Sequence, residues 1–134
     1  MYSVDEKGRI ILPAKYRDSF GNKCMMSKSQ EKCVNVYPLE AWSKLVEKLD
    51  GLNMFRRGDR DFNRRFHAGS DESEIDRQGR TLIKQDFRVH GNLNKEVYII
   101  GAGDHLEIWN KEAWELYRDK LDEGYESLGE ELFQ

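Results

Sequence analysis

Two pentads in this 134-residue chain place a carboxylate, a glycine and an arginine at one spacing: Asp5-Glu6-Lys7-Gly8-Arg9 and Asp76-Arg77-Gln78-Gly79-Arg80. In D-x-x-G-R the aspartate and the arginine lie on the two limbs of one tight turn, close enough to pair. Asp5 would then steady Arg9, and Asp76 would steady Arg80, so that each guanidinium stands out at a turn. A pre-oriented guanidinium can grip a phosphate, or donate two bonds to O6 and N7 of guanine in the major groove. Lys7 and Arg77 add positive charge beside the same two arginines. The same residues also describe a hairpin closed by an exposed ion pair with no ligand, which stabilises a fold only slightly.

The elements that must hold these turns are themselves duplicated. After the first pentad the chain continues Ile10-Ile11-Leu12-Pro13-Ala14-Lys15-Tyr16-Arg17, and after the second Thr81-Leu82-Ile83-Lys84-Gln85-Asp86-Phe87-Arg88. Further on, Glu40-Ala41-Trp42 returns as Glu112-Ala113-Trp114, with the offset changing from 71 to 72 residues. Apolar positions drifted between the copies (Ile10 against Thr81, Leu12 against Ile83) while Asp, Gly and Arg of the turn did not. That contrast favours a function at the turns, with a shared folding role as the other explanation.

Each copy reads ββαββα. In the first, Met1–Val4 is a strand, Gly8 supplies the positive φ of the turn, and Ile10–Leu12 resumes extended structure. Pro13 opens a short helix to Phe20 that buries Tyr16 and Phe20. Strands over 24–26 and 34–37 follow, then an amphipathic helix over 39–50 carrying Leu39, Trp42, Leu45, Val46 and Leu49. The second copy repeats this order, ending in a helix with Ala113, Trp114, Tyr117 and Leu121. Four such short strands cannot bury both faces alone. Two related halves intertwined in one barrel with pseudo-twofold symmetry solve that problem, giving an α+β, mainly β, fold. The chain divides into a first half (1–50), a connecting helix or linker (51–73), a second half (74–121) and an acidic tail (122–134).

The connecting segment carries Phe55, Phe62 and Phe66 at helical steps, which predicts an aromatic face docked on the barrel. Its five arginines, Arg56, Arg57, Arg60, Arg64 and Arg65, read either as a phosphate-facing surface or as partners of Asp59 and Asp61 on a solvated helix, the second being favoured. The tail sets Tyr125, Leu128 and Leu132 at i, i+3, i+7 but contains Gly124 and Gly129, so the pattern leaves open a helix resting on a neighbouring subunit and a frayed end.

Net charge is −3, which does not suit a nucleic-acid binder until it is divided along the chain. Residues 111–134 hold three basic and eight acidic side chains, whereas 1–110 hold nineteen basic and seventeen acidic ones. An acidic end hangs on a mildly basic body, and screening keeps the two apart over roughly 8–10 Å. No run approaches a membrane span and no leader is evident, so the expectation is a cytoplasmic protein. Cys24 reads as a small core residue and Cys33 as a strand-edge thiol, with neither a metal site nor a disulfide indicated. His67, His90 and His105 lie in separate segments, no catalytic set is recognisable, and Gly101-Ala102-Gly103 is a hairpin turn lacking the pattern of a nucleotide loop. The reading is of a protein that is not an enzyme and needs no cofactor, metal or small-molecule substrate.

The paired motif, Asp5…Arg9 and Asp76…Arg80, together with Lys7-Gly8-Arg9 before Pro13-Ala14-Lys15-Tyr16-Arg17, Ile75-Asp76-Arg77-Gln78-Gly79-Arg80, Leu106-Glu107-Ile108-Trp109 and Glu112-Ala113-Trp114, resembles the MraZ family of bacterial transcriptional regulators over almost the whole chain. The family is related to the AbrB-type swapped-hairpin DNA-binding domains, so the resemblance implies two tandem AbrB-like halves in one swapped-hairpin barrel. It further implies a nucleoid-associated repressor of a division and cell-wall gene cluster. Such a protein binds double-stranded DNA at repeated promoter elements as a ring-shaped homo-oligomer. By the same resemblance Arg9 and Arg80 are the main DNA contacts, Lys7 and Arg77 their flanking partners, and Asp5 and Asp76 the groups that orient them. The alternative is a ring-forming scaffold whose arginines face a protein acid, without specific DNA binding. Two departures bear on the fold: Lys84 stands where a second proline is expected, so the second short helix is expected to start differently, and only four residues precede Asp5.

Overall fold

The computed structural model describes residues 1–133. Its first half contains β1 (Tyr2–Ser3), β2 (Arg9–Ile11), α1 (Ala14–Arg17), β3 (Lys23–Lys28), β4 (Cys33–Pro38) and α2 (Leu39–Leu49). After α3 (Arg57–Ala68) come β5 (Ser70–Glu74), β6 (Arg80–Leu82), α4 (Gln85–Gly91), β7 (Glu96–Gly101), β8 (Leu106–Asn110) and α5 (Lys111–Phe133). The order ββαββα therefore occurs twice. No helix of the described residues is long and apolar enough to cross a membrane.

The strand pairing interleaves the two halves. Six strands form one antiparallel sheet in the order β1-β7-β8-β4-β3-β5, and β2 and β6 form a separate two-stranded ribbon. The opening strand of each half adds to the hairpin of the other, with Tyr2 opposite Val97 and Ser73 opposite Cys24. The hairpins meet at a central seam where Val34 faces Ile108. This is the expected α+β, mainly β, architecture of two interleaved halves, consistent with a swapped-hairpin barrel. One core serves both: Ile10, Leu12 and Ile83 beneath the ribbon and Met26, Val34, Val36, Val97 and Ile108 in the sheet are at most 1% exposed.

Local chemistry explains how the helices start. Pro13, with φ −56° and ψ 137°, immediately precedes α1. Lys84 takes nearly the same backbone, φ −60° and ψ 154°, immediately before α4. The missing proline therefore changes nothing at the entry, because any residue can adopt this extended conformation. Where the two helices differ is at the far end: α4 runs on to Gly91 and is closed by Asn92 in the left-handed region.

Several local expectations need correction. Phe62 and Phe66 lie on α3 and stack on each other (6.2 Å), and Phe66 stacks on Trp42 of α2 (5.0 Å), but Phe55 precedes the helix and is 95% exposed. The α3 arginines follow the favoured reading and are largely engaged locally: Arg57 and Arg64 both pair with Asp61, and Arg60 donates to the Met54 carbonyl. Cys33 is a fully buried residue of β4, with burial pushing its thiol up to about 12; it is not an edge thiol. Strand β5 begins at Ser70, earlier than the expected Glu74-Ile75, and of the two alternatives left open for the tail the helix is the one seen, α5 running on to Phe133.

Candidate nucleic-acid interface

The β2–β6 ribbon brings the two motifs to one place. Its register sets Arg9 opposite Leu82, Ile10 opposite Thr81, and Ile11 opposite Arg80. Alternation along each strand then sends Ile10 and Thr81 inward, both 1% exposed, and turns Arg9, Ile11, Arg80 and Leu82 to the other face. Backbone bonds beyond the strands, Leu12 N–H to the Gly79 carbonyl and Ile83 N–H to the Gly8 carbonyl, tie each end of the ribbon to the other half's turn. Thr81 is tolerated where the first half has Ile10 because its hydroxyl bonds the Ser73 hydroxyl at 2.8 Å inside the core.

The turns are built alike, bond for bond. The Asp5 carbonyl accepts from Gly8 N–H, and Asp5 N–H donates to the Arg9 carbonyl; Asp76, Gly79 and Arg80 repeat this. Gly8 (φ 83°) and Gly79 (φ 81°) occupy the left-handed region that closes such three-residue loops. Oδ1 of Asp5 accepts the amides of Lys7 and Arg9, and its Oδ2 accepts Nε of Arg9 at 2.9 Å. Oδ1 of Asp76 accepts the amides of Gln78 and Arg80, and its Oδ2 accepts Nε of Arg80 at 2.7 Å. The arginine amide first, then its guanidinium, holds each carboxyl below the ordinary aspartate value.

Because the carboxylate takes Nε, the terminal amino groups of Arg9 point onward with no protein partner among the described residues. Those of Arg80 are partly engaged, since Nη2 also donates to Oε1 of Gln78 at 3.2 Å. Lys7 and Arg77 are exposed on the turns, though at different places: Lys7 corresponds to Gln78, and Arg77 to Glu6. All six residues expected at the site thus gather at the two ends of one short ribbon.

Two further guanidiniums join them. Nε of Arg17 donates to the Leu12 carbonyl and Nε of Arg88 to the Ile83 carbonyl, both at 2.9 Å. From there each crosses to the other half's turn. A Cβ added at Gly79 would lie 2.5 Å from Nε of Arg17, and one at Gly8 would lie 3.0 Å from Cζ of Arg88. Each turn is thus backed by an arginine from the opposite copy. The signal for these residues was present, since Arg17 and Arg88 repeat at the motif's own offset, but nothing in the sequence said which turn each would reach. The outward pair Ile11 and Leu82, 49% and 41% exposed, is not legible in the sequence, because isolated apolar triplets do not reveal which face is wet. The result is a local concentration of basic groups around two exposed aliphatic residues, on a chain whose net charge is negative.

The histidines lie away from this face. His105 stacks on Tyr37 (4.7 Å) between Asp104 and Glu107, and His90 contacts the Glu31 carbonyl.

Comparison with known proteins agrees with this duplication. A family model described as "MraZ protein, putative antitoxin-like" matches twice in tandem, over residues 1–65 and 66–134. The chain is similar to the protein named transcriptional regulator MraZ of Finegoldia magna, with 41% identity over 98% of this chain and 92% of the relative. It is 42% identical to the proteins of the same name in Heliobacterium modesticaldum and Acetivibrio thermocellus over the same shares of each chain.

Proposed function

Since the chain belongs to the MraZ family of transcriptional regulators, we propose that it regulates transcription by binding duplex DNA through the outer face of the β2–β6 ribbon. One observation carries the reading: two carboxylate-oriented guanidiniums share that face, with Ile11 and Leu82 between them. The major groove, about 12 Å wide, admits a two-stranded ribbon, and its floor offers the acceptor pair of guanine and the methyl group of thymine. Arg9 and Arg80 would read the former, and Ile11 and Leu82 would pack on the latter. Lys7 and Arg77, with Arg17 and Arg88 behind them, would contact phosphates and set the register without reading sequence. Asp5 and Asp76 orient the reading arginines and do not touch the nucleic acid.

One such face is a weak site. A homo-oligomeric ring presenting many copies to repeated operator elements would convert weak contacts into tight binding by effective concentration, without a strongly basic monomer. We take the targets to be promoter repeats of a division and cell-wall gene cluster, the action to be repression, and the location to be the nucleoid. No step of this function asks for catalysis or a cofactor.

The test is a gel-shift titration of the full chain against its own upstream DNA at two salt concentrations, with a scrambled duplex as control. Specific retardation that weakens with salt is expected. Arg9→Ala with Arg80→Ala should abolish it while leaving the oligomer's mass unchanged. A folded oligomer that retards neither duplex refutes the reading and points to a protein acid as the partner of the arginines. Normal operator binding by the double variant refutes the arginine mechanism alone.

A further inference from the structure

The six-stranded sheet has a second face, turned away from the ribbon, and the DNA-binding reading makes no use of it. Alternation along β4 sends Val34 and Val36 into the core and leaves Cys33, Asn35 and Tyr37 on this other face. The register then sets a polar row across three strands, with Asn35 opposite Ser27 of β3 and opposite Glu107 of β8. Tyr37 flanks the row on one side, and Trp109, opposite Cys33, flanks it on the other. Over the row opens a cleft of about 580 Å³, walled by Phe62, Arg65 and Phe66 of α3 and by His90 of α4. Small-molecule sites typically have about 300–1,000 Å³ and set a few convergent polar groups among apolar walls.

Most of the polar groups here are answered within the protein. Ser27 accepts the Ser70 hydroxyl at 3.3 Å, and Glu107 accepts the Trp109 indole N–H at 2.9 Å and lies 3.5 Å from His105. Glu31, at the His90 end, accepts the Ser29 hydroxyl at 3.0 Å. Asn35 is the exception: its Oδ1 is buried and accepts from no group among the described residues. A buried acceptor without a donor destabilises a fold, and asparagine is a poor strand former, so neither core nor sheet accounts for this side chain. An asparagine amide sets an acceptor beside a donor, the pair that meets N6 and N7 of adenine. The rings of Tyr37, Phe62 and Phe66 offer apolar area to a planar base. Of the cations, Lys28 pairs with Asp86, and His105 lies between Asp104 and Glu107. Arg65 pairs with no carboxylate among the described residues, and an unengaged guanidinium suits a phosphate.

We propose that this cleft binds an adenine nucleotide, with the edge of the base on Asn35, its ring against Tyr37 and Phe62, and its phosphate at Arg65. The core separates the cleft from the ribbon, so the site stands apart from the DNA-binding reading.

The experiment is calorimetric titration of the full chain with adenosine monophosphate, with guanosine monophosphate and inorganic phosphate as controls and circular dichroism to confirm folding. Saturable binding of adenosine monophosphate is expected, with guanosine monophosphate at least about tenfold weaker because its O6 and N7 both accept. Asn35→Ala should weaken adenosine monophosphate about tenfold, the share of a bidentate pair, without lowering the melting temperature, since Oδ1 holds no bond within the protein. Arg65→Ala, at an exposed position, should weaken adenosine monophosphate and leave adenosine unchanged. No saturable binding by the folded wild type overturns the site and leaves the DNA reading untouched. Equal binding of guanosine monophosphate, or of phosphate alone, overturns the recognition of the base. Unchanged affinity in Asn35→Ala with a lowered melting temperature makes Asn35 structural and overturns the placement, and equal losses of nucleotide and nucleoside in Arg65→Ala overturn the phosphate contact.

Discussion

Substituting Gly79 by alanine tests the interleaving directly, because the residue it disturbs belongs to the other half of the chain. Gly79 has φ 81°, and a left-handed backbone costs an alanine about 1–2 kcal/mol. Its Cβ would also lie 2.5 Å from Nε and 2.7 Å from Cζ of Arg17, so the guanidinium must leave its place. Leaving breaks the half-buried bond to the Leu12 carbonyl, a charged bond of the kind that contributes about 1.5–3 kcal/mol, less here for partial exposure. The expected destabilisation of Gly79→Ala is therefore about 2–4 kcal/mol. Gly8→Ala meets the flexible end of Arg88 at 3.0 Å and should cost only the backbone part, about 1–2 kcal/mol. Urea unfolding at one fixed protein concentration gives both numbers, the concentration being held because the proposed assembly would contribute to stability. In an Arg17→Ala background the added cost of Gly79→Ala should fall to about 1–2 kcal/mol. An Arg88→Ala background should give no such relief. Equal costs in the wild-type and Arg17→Ala backgrounds, or relief from Arg88→Ala instead, would refute the crossing of Arg17 to the second turn.

Other consequences are as accessible. Asp5→Asn keeps an acceptor for the Lys7 and Arg9 amides but loses the charged partner of Nε, so DNA affinity should fall with little change in melting temperature, read by gel shift and thermal unfolding in parallel. Trp42→Ala removes the edge contact to Tyr37 and the stack on Phe66, aromatic pairs of about 0.5–1.5 kcal/mol each; hydrogen exchange should show α3 loosened before the sheet. His105 is raised above its ordinary value, chiefly by its bond to Glu107 and then by Asp104. The His105 contribution is therefore full below the unfolded value near 6.5 and is lost as pH rises through the higher folded one. Stability measured by urea unfolding should decline on that alkaline side, and His105→Asn should flatten the slope. Burial pushes the Cys24 thiol up to about 11 and Cys33 up to about 12. Neither should react with iodoacetamide in the native protein, while both should react after unfolding, as mass spectrometry would show.

The duplication made most of the fold legible in advance, because a repeated ββαββα order survives the drift of individual core residues. The pairing of β2 with β6 did not, since each strand has three residues and the paired residues lie 69 to 73 positions apart, beyond any local pattern. Ser70-Asp71-Glu72 gives no apolar alternation, so the start of β5 was invisible; it is an edge strand whose polar outer side chains include Asp71, paired with Lys84. The two glycines of α5 argued against a long helix, and the helix forms through them. At the candidate site, the bonding inside each turn follows from the motif alone: aspartate, a left-handed glycine and an arginine at i+4 leave the carboxylate within reach of two amides and Nε. What the motif could not convey was that both turns would end the same ribbon, or that each would be backed from across the molecule.

The near-symmetry of that ribbon has a further meaning. Two identical halves would present a face that looks the same after a half-turn, suited to an element equal to its own inversion. Here covalent fusion has let the halves part company: Glu6-Lys7 answers Arg77-Gln78, Ile11 answers Leu82, and Arg80 alone has a glutamine on its terminal amino group. The face therefore has a front and a back. Seated in a DNA groove as proposed, it would distinguish an element from the same element reversed. Copies set side by side in one orientation would then favour elements repeated in one direction, the proposed DNA contact taking its polarity from the divergence of the protein's own two halves.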